Sequence, residues 1–412
     1  MIYVSQGMEK KMIKKIGVIT HYYQSINYGG MLQAYALVRY LRGCGYVAEQ
    51  ICYDSSASQN WPQLIQSFNY SLSSLHLIQD KFSRRIADFF ENALFPASSN
   101  AFRAYQKKRR EVFDSFSRDY IPHSAEVYTE GTIEAVNNIY EAFITGSDQV
   151  WNVSSYRPAY FLSFAGPGKA RIAYAASMAG ESVPDALREN VMQNLKGYVG
   201  ISLRETSAIP VVRSLTTVEP VITVDPTLLL DRCQWEKIVS DRVVVPSDYI
   251  FCYFLGNNLA AKKFAEDFSN KVGLTLLCIP MYTSTKQFRE ESFLGYIVND
   301  ASPRDFLAFI RDAQYILTDS YHAVIFSMIF QKNFLVFDRN QNRTMSTRIT
   351  HLLELCGLRS RYISDANFGG LQEILQSVPK IYAEQQMPLA DLIAFSKQYL
   401  REMLHRAETS QK

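Results

Sequence analysis

Two residues stand where a side chain could move protons, and both follow a short apolar run. Asp148 lies in the segment FITGSDQVWN, and His322 lies in YILTDSYHAVIFSMIF. A carboxylate or an imidazole at the end of a strand is well placed to accept or donate a proton at a bound hydroxyl group. The alternatives are that Asp148 caps the next helix and that His322 is a hydrogen-bonded structural residue.

Arg204 is the candidate for holding an anion. It follows a short apolar run in ISLRETS and directly precedes Glu205. A guanidinium at the end of a strand can hold a carboxylate or a phosphate through two parallel hydrogen bonds. The alternative is an Arg204–Glu205 pair on the surface, which would contribute little to stability.

A glycine-containing loop, SINYGG at Ser25–Gly30, lies between a predicted strand and a predicted helix. Backbone N–H groups around Asn27, Gly29 and Gly30 could approach an anion there, and the helix dipole would favour its negative charge. The spacing differs from the GxGxxG pattern, so dinucleotide binding has little support. A tight turn at the edge of a domain is the alternative.

Polar and aromatic residues follow Asp148 directly. Gln149 and Asn152 carry amide groups, and Trp151 carries a large flat ring between them. Aromatic rings of this kind are amphipathic and suit pockets that hold sugars. We therefore predict that these three residues contact a sugar ligand.

The composition excludes several classes of function. The chain has 412 residues and a net charge of +3, which gives no reason to expect a basic surface that binds nucleic acid. Its six cysteines form no CxxC pair and show no zinc-ligand spacing, so we predict neither a metal nor a redox cofactor. No apolar segment follows the lysines at 10–15 or is long enough to span a membrane, which favours a cytoplasmic protein.

The alternation of strand-like and helix-like segments predicts two α/β domains, as the chain length also suggests. We predict a first domain at 15–210, with a helical insertion at about 56–125, and a second domain at 221–380. The linker is expected at 213–220, and a last amphipathic helix at 386–408. Two doubly wound domains facing across a cleft would bind ligands at the carboxyl ends of their strands.

Three local patterns give sharper predictions. The run KIGVIT, the loop up to Gly30 and a periodic segment from Met31 predict a strand, a loop and a helix. Ser302 before Pro303 and Asp305 predicts a capped helix start. The run VITV at 221–224 predicts the first strand of the second domain.

Taken together, these motifs resemble the polysaccharide pyruvyl transferase family. The segments that carry the resemblance are IGVIT, NYGGMLQAYAL, ITGSDQVWN, RIAYAAS, ISLRE, VDPTLLL, TDSYHAVIFSMIF and STRITHLLELCGL. They cover nearly the whole chain apart from residues 56–125 and the last helix. The combination of NYGGMLQAYAL with GSDQVWN is the most specific part.

The resemblance implies a fold and an activity. The fold would be two Rossmann-like domains of the GT-B type, with the last helix crossing back to pack on the first domain. The activity would be transfer of a pyruvyl group from phosphoenolpyruvate to sugar hydroxyls, forming a ketal on a bacterial surface polysaccharide or its lipid-linked precursor. Phosphoenolpyruvate would be a co-substrate, and a lipid-linked acceptor would bring the protein to the inner face of the membrane.

Carried over to this chain, the resemblance puts Arg204 and His322 at the phosphoenolpyruvate site, with Ser320 and Tyr321 beside them. We expect His322 to act as the general acid and Asp148 as the general base or acceptor anchor. The 27–30 loop would help to bind the donor. The acceptor would be contacted by three residues of the segment after Asp148, namely Gln149, Trp151 and Asn152.

One departure from the family leaves the phosphate contacts open. Some members have Arg-Leu-His where this chain has Ser320-Tyr321-His322. Another cation would then complete phosphate binding, and the sequence does not decide among Lys169, Arg171, Arg304, Arg343 and Arg348.

Two other functions are compatible with the sequence. Fold does not fix function, so a GT-B glycosyltransferase that uses a nucleotide sugar is one alternative. The serine at 320 suggests a second, a non-catalytic glycan-binding relative. If His322 proves to be structural, Glu205 and Asp319 are the next candidates for the acid.

Overall fold

The computed structural model describes residues 15–56, 94–178, 180, 182–241, 245, 248–290, 295–339, 343–363 and 387–409. Most of the predicted insertion, residues 57–93, therefore lies outside the described residues, as does the segment 364–386. Within the described parts, the strands form two parallel sheets, each flanked by helices. The predicted class of two α/β domains is confirmed.

The first sheet has the strand order β3-β2-β1-β4-β5-β6-β7, and neighbouring strands are parallel throughout. Its central strands are buried along nearly their whole length, as expected for apolar runs covered by helices on both faces. The strands are β1 (Lys15–Ile19), β2 (Val47–Tyr53), β3 (His123–Tyr128), β4 (Ala142–Thr145), β5 (Ala170–Ala176), β6 (Tyr198–Leu203) and β7 (Val221–Ile222).

Four helices accompany this sheet in the described residues: α1 (Tyr28–Gly43), α2 (Pro96–Tyr120), α3 (Asp185–Leu195) and α4 (Ile209–Arg213). Helix α2 is the described helical part of the predicted insertion, whose last residues, from His123, belong instead to β3 of the first sheet. Its buried side chains include Phe102, Phe113 and Phe116. The basic residues of Lys107–Lys108 are exposed on its other side, so α2 is an amphipathic surface helix.

The second sheet has the order β10-β9-β8-β11-β12-β13 and is also parallel. Its strands are β8 (Tyr249–Tyr253), β9 (Thr275–Cys278), β10 (Tyr296–Ile297), β11 (Tyr315–Thr318), β12 (Asn333–Phe337) and β13 (Tyr362–Ile363). The helices from here to the end of the chain, with α5 between the two sheets, are α5 (Arg232–Glu236), α6 (Leu259–Val272), α7 (Thr285–Glu290), α8 (Pro303–Asp312), α9 (Tyr321–Ile329), α10 (Arg343–Leu355) and α11 (Met387–Thr409).

The prediction that the second domain opens with a strand at 221–224 is wrong. Val221–Ile222 pairs in parallel with Ser202–Leu203 and forms the edge of the first sheet. The edge of β6 is open to a further parallel strand, so this short apolar run completes the first sheet. The passage between the sheets follows β7 and includes α5.

A shared hydrophobic core joins the two domains. It includes side chains from α1 on one side and from α8 and α9 on the other. Tyr28 stacks on Phe306 with ring centroids 4.5 Å apart, and its hydroxyl donates to the carbonyl of Ala301 at 2.7 Å. The first turn of α1 is therefore fixed against the second domain.

Helix α1 begins three residues earlier than the sequence predicted. Asn27 has an extended backbone, and its side-chain oxygen accepts a hydrogen bond from the backbone N–H of Gly30 at 3.2 Å. Gly29 and Gly30 consequently lie in the first helical turn and not in a loop, because a capping asparagine supplies what that turn needs. The predicted start of α8 is confirmed, since Ser302 and Asp305 form a capping box.

Helix α11 lies against the first sheet although it follows the second domain in the chain. The hydroxyl of Ser396 accepts from the backbone N–H of Val224 at 3.0 Å, and the hydroxyl of Tyr399 donates to the carbonyl of Ala173 at 3.3 Å. The predicted return of the last helix to the first domain is confirmed. In the part of the chain that the structure describes, every helix is too short or too polar to cross a membrane.

The contact between α11 and β6 depends on Gly200. A Cβ atom there would lie 2.1 Å from Sδ of Met403 and 2.8 Å from the hydroxyl of Tyr399. We expect Gly200→Ala to lower the free energy of unfolding by about 1–3 kcal/mol, since overpacking forces neighbours off their rotamers. Urea unfolding followed by circular dichroism measures the change.

Gly43 provides the matched control, because it lies in α1 and a Cβ atom added there would meet no neighbour within 4 Å. Gly43→Ala should leave stability equal or raise it by about 0.5–1 kcal/mol, the usual gain of alanine over glycine in a helix. Adding Met403→Ala to Gly200→Ala should recover part of the loss. Equal behaviour of the two glycine variants would contradict the docking of α11.

Candidate active site

Charged and titratable side chains that could take part in catalysis lie close together where strands of both sheets end. His21 follows β1, Asp148 follows β4, Arg204 follows β6 and Asp225 follows β7 in the first sheet. His322 follows β11 in the second. In open parallel sheets the carboxyl ends are where ligands bind, because the strand-to-helix turns leave a crevice there. We call Asp148, Arg204, Asp225 and His322 the charge cluster.

Asp225 is the centre of the charge cluster and is completely buried. Its Oδ2 accepts from Nη1 of Arg204 at 2.8 Å and from the hydroxyl of Ser147 at 3.2 Å, and it lies 3.4 Å from Nε2 of His322. Its Oδ1 accepts from the backbone N–H and the hydroxyl of Thr227. Burial favours a higher pKa, but His322 and Arg204 outweigh it and hold the pKa of Asp225 far below its usual range.

Arg204 is buried between acidic and aromatic neighbours, with only 1% of its side chain exposed. Its Nη2 lies 3.6 Å from Oδ1 of Asp148, and its guanidinium stands 4.9 Å from the ring centroid of Tyr321. Burial disfavours the charged form, yet Asp225 and Tyr321 raise the pKa of Arg204 above its ordinary value. Its Nε and Nη2 donate no hydrogen bond to any residue that the structure describes.

The alternative of a surface pair between Arg204 and Glu205 is wrong. Glu205 is also buried, but its Oε1 accepts from the hydroxyl of Ser177 at 2.9 Å and from the backbone N–H of Met178 at 2.8 Å. Consecutive side chains of an extended segment point in opposite directions, which separates the two groups. Arg204 therefore meets the aspartates of the charge cluster instead.

Asp148 sits in a strained turn and remains accessible. Its φ of 74° lies in the left-handed region, and its carbonyl accepts from the backbone N–H groups of Val150 and Ser177. Its side chain is 19% exposed. Burial works toward a higher pKa, but Arg204 and His322 outweigh it, and the pKa of Asp148 lies below its ordinary value.

Asp148 is not a helix cap. The short 3-10 helix Val153–Ser155 that follows is capped by Asn152, whose side-chain oxygen accepts from the backbone N–H of Ser154 at 3.0 Å. The carboxylate of Asp148 faces Arg204 instead. The prediction that it belongs to a functional site therefore rests on geometry as well as on sequence.

His322 lies in the first turn of α9 and packs directly on the first domain. Its side chain is 11% exposed, with Nε2 toward Asp225. A Cβ placed on Gly29 would lie 1.9 Å from Nδ1 of His322, so only glycine permits this approach. Ser320 caps α9, and its hydroxyl accepts from the backbone N–H of Ala323 at 3.4 Å.

The predicted donor-binding residues have different roles in the structure. Gly29 contacts His322, whereas Gly30 packs against the carbonyl of His21 and Asn27 uses its side chain as the α1 cap. Tyr321 covers Arg204. Ser320 is occupied with the α9 cap.

Trp151 cannot stack on a sugar in this structure, and that prediction is corrected. It is 1% exposed, its Nε1 donates to the carbonyl of Tyr160 at 3.1 Å, and its ring lies parallel to that of Phe161. A large aromatic ring that follows a buried strand fills the core more readily than it faces solvent. Gln149 and Asn152 are partly exposed, and the amide oxygen of Asn152 is engaged in its cap.

Three of the five candidate cations point away from the site. Lys169 Nζ donates to the carbonyl of Tyr140, Arg171 Nη1 to that of Asn194, and Arg304 Nε to that of Ile238. The side chain of Arg343 lies outside the described residues. Arg348 is buried, and it interacts electrostatically with Asp148 and Arg204.

Sequence reasoning missed two members of this region. Asp225 was visible only as part of the segment VDPTLLL, where an aspartate follows a strand and precedes a proline. His21 directly follows Thr20 after β1; burial lowers its pKa, and Asp148 opposes that effect. Both could have been found by asking which polar residues follow each predicted strand.

Of the two reserve candidates for the acid, Asp319 is a structural residue. Its Oδ1 and Oδ2 accept from the backbone N–H groups of Leu255 and Gly256, each at 2.7 Å. Burial raises its pKa, while Arg339 opposes that effect. Asp319 thus ties β11 to the loop after β8. Among the described residues, no group of three or more His, Cys, Asp or Glu side chains is arranged to hold a metal ion.

Asp225→Asn should destabilise the protein strongly. The change leaves Arg204 without its closest anion, and breaking a buried pair from one side typically costs about 3–5 kcal/mol. The exposed Asp312, paired with Arg311, gives a control, for which the loss should stay within about 1 kcal/mol. Urea unfolding of both variants at neutral pH tests this.

The loss of stability in Asp225→Asn should also depend on pH. Because the folded-state pKa of Asp225 is depressed, its contribution is complete above the ordinary aspartate value of about 4 and declines as pH falls below it. The gap in stability between wild type and Asp225→Asn should therefore narrow on acidification. A gap that widens at low pH would contradict the charge pairing.

Comparisons with solved structures show the fold. A UDP-N-acetylglucosamine 2-epimerase aligns with a TM-score of 0.50 at 11% identity, covering 96% of both chains. The UDP-GlcNAc 2-epimerase of Methanocaldococcus jannaschii aligns with a TM-score of 0.50 at 9% identity, covering 93% of this chain and all of its own. These are GT-B type architectures, and the predicted fold class is confirmed.

Sequence comparison shows the family. A search of curated proteins finds no significant match. The profile of the family described as polysaccharide pyruvyl transferase matches residues 27–341, which is most of the chain and includes the whole charge cluster. The protein belongs to the polysaccharide pyruvyl transferase family.

Proposed function

We propose that this protein transfers a pyruvyl group from phosphoenolpyruvate to sugar hydroxyls, forming a pyruvate ketal on a bacterial surface polysaccharide or its lipid-linked precursor. Family membership supports a transferase. The observation that carries the proposal is the charge cluster. In it the carboxylate of Asp148, the guanidinium of Arg204, the carboxylate of Asp225 and the imidazole of His322 follow one another across the junction of two domains. Such a cluster offers a proton donor, a proton acceptor and a cation together.

The reaction needs those three functions and no electron carrier. A proton adds to the methylene carbon of phosphoenolpyruvate, a sugar hydroxyl bonds to the neighbouring carbon, and its proton passes to a base. The C–O bond to phosphate then breaks, and a second hydroxyl of the sugar bonds to the same carbon. Of the two hydroxyl protons, one balances the new methyl group and the other leaves with phosphate.

In this proposal His322 is the general acid and Asp148 the general base. Both keep some access to a ligand, at 11% and 19% side-chain exposure, whereas Arg204 at 1% is shielded. The lowered pKa of Asp148 keeps its carboxylate ionised at neutral pH, as a proton acceptor requires. Asp225 positions the imidazole by facing Nε2, and we assign it no direct contact with substrate.

Arg204 would hold the anionic donor once Tyr321 moves aside. Its Nε and Nη2 are the donors that its pairing with Asp225 leaves over. The amino end of α1, at Gly29, would add a favourable dipole beside His322. We propose no metal and no nucleic-acid partner, and a cytoplasmic location in which a lipid-linked acceptor draws the protein to the inner face of the membrane.

Ligand-induced stabilisation tests the donor. Phosphoenolpyruvate at a hundredfold excess over its Kd should stabilise the native state by about 2.7 kcal/mol, while NAD and ATP should have no effect. Differential scanning fluorimetry measures the shift, and mass measurement after incubation with nitrophenyl sugars tests for the added pyruvyl group. A shift with a UDP-sugar and none with phosphoenolpyruvate would favour a nucleotide-sugar glycosyltransferase, and sugar binding without turnover a glycan-binding protein.

His322→Ala and His322→Gln should each lower kcat by about 10²–10⁴-fold, the usual worth of a positioned acid or base. An amide can hydrogen-bond to Asp225 but cannot deliver a proton, so glutamine should not rescue. His405→Gln on the exposed face of α11 is the control and should keep full activity. If alanine unfolds the protein and glutamine restores both fold and turnover, His322 is structural, and Glu205 becomes the candidate acid.

A further inference from the structure

Arg348 is a buried arginine at the domain junction. It lies on α10, which packs against α9, the helix that carries Tyr321 and His322. Its exposure is 7%. Of the five cations that the sequence offered, it is the one whose described side chain belongs to the surroundings of the charge cluster.

Two buried guanidinium groups repel each other at this junction. Arg348 interacts with Arg204, Glu205, Asp148 and Tyr321, and its pKa is lowered to about 10 by burial and then by the charge of Arg204. Bringing like charges together in a region of low dielectric costs free energy unless an anion lies between them. Both arginines are buried, so an anion bound beside them would be stabilised by their two positive charges.

The free edge of Arg204 supplies the second half of such a site. Nη1 is engaged by Asp225, but Nε and Nη2 donate no hydrogen bond to a described residue. An Nε–Nη2 edge has the geometry that holds two oxygens of a phosphate or carboxylate. Nη2 has only the ion pair with Asp148 at 3.6 Å. Buried N–H groups that make no hydrogen bond are costly, and a ligand oxygen would remove that cost.

We propose that Arg348 and the free edge of Arg204 form a two-arginine site for the phosphate or carboxylate of an anionic donor. The inference rests on the proposed function and names the residue that takes over from the family arginine absent at Ser320. Arg204 belongs to the first domain and Arg348 to the second, so an anion held by both also ties the domains together. Phosphate is recognised through its charge and three oxygens, which two guanidinium groups can match.

A purely structural role for Arg348 has different consequences. In that case it would only neutralise Glu205 and Asp148 within the fold. Removing it would change the stability of the free protein and leave the affinity for phosphoenolpyruvate as it was. The two roles are therefore separated by ligand affinity and not by stability.

Arg348→Lys and Arg348→Gln are the test variants, since lysine keeps the charge without the fork and glutamine removes the charge. The matched control is Arg304→Lys, the same change at a second-domain arginine that bonds to main-chain carbonyls. Thermal shifts with phosphoenolpyruvate, inorganic phosphate and pyruvate are measured for each protein. Steady-state KM values for phosphoenolpyruvate and for the acceptor complete the set.

We expect Arg348→Lys to raise the KM for phosphoenolpyruvate by about tenfold to a hundredfold, on the scale of one charge-assisted hydrogen bond. The acceptor KM should stay constant, and Arg304→Lys should match wild type. Loss of the phosphate shift alone would assign Arg348 to the phosphate, and loss of the pyruvate shift alone to the carboxylate. Unchanged shifts and an unchanged donor KM in both Arg348 variants would overturn the inference.

The outcome is separable from that of the proposed function. If wild type is stabilised by inorganic phosphate but neither binds nor turns over phosphoenolpyruvate, the proposed donor is wrong. The anion site then stands or falls with the phosphate shifts of the Arg348 variants. A wild type that responds to phosphoenolpyruvate while the Arg348 variants respond equally would keep the donor and remove Arg348. If Arg348→Gln fails to fold, Arg348→Lys still decides.

Discussion

The buried carboxylate of Asp225 is the constraint on which the site depends. A charge with no solvent contact is stable only when cations and hydrogen-bond donors meet it. Arg204 does so from the first domain at 2.8 Å, and His322 faces it from the second at 3.4 Å. The spacing of the two domains is therefore fixed here, since a wider separation would take the imidazole of His322 away from the carboxylate.

The packing around Asp225 follows from that spacing. His322 can reach it only because Gly29 presents no side chain, and Gly29 is held in place by the contact of Tyr28 with Ala301 and Phe306. The apolar core and the charged site therefore share one element, the first turn of α1. A change in how the domains pack would therefore also move the imidazole of His322 relative to Asp225.

A charged group of this kind is a poor device for stability. Replacing buried ion pairs by well-packed apolar residues is often neutral or favourable, so their presence needs another reason. Strain at Asp148, unmet donors on Arg204 and the proximity of Arg348 all occur within this one region. Local features that oppose folding concentrate where a protein carries out its chemistry, which agrees with the function proposed.

The sequence by itself determined the two α/β domains, the last amphipathic helix, the capped start at Ser302 and the positions of Asp148, Arg204 and His322 after strands, because apolar periodicity and chain order are local properties. The return of the last helix to the first domain was implied by the family resemblance and not by any local pattern. Tertiary structure decided which side chains meet. That Trp151 turns inward, that β7 joins the first sheet and that Asp225 binds Arg204 all depend on contacts between segments far apart in the chain. No local pattern encodes those distances, since they arise only when the sheets and their helices pack.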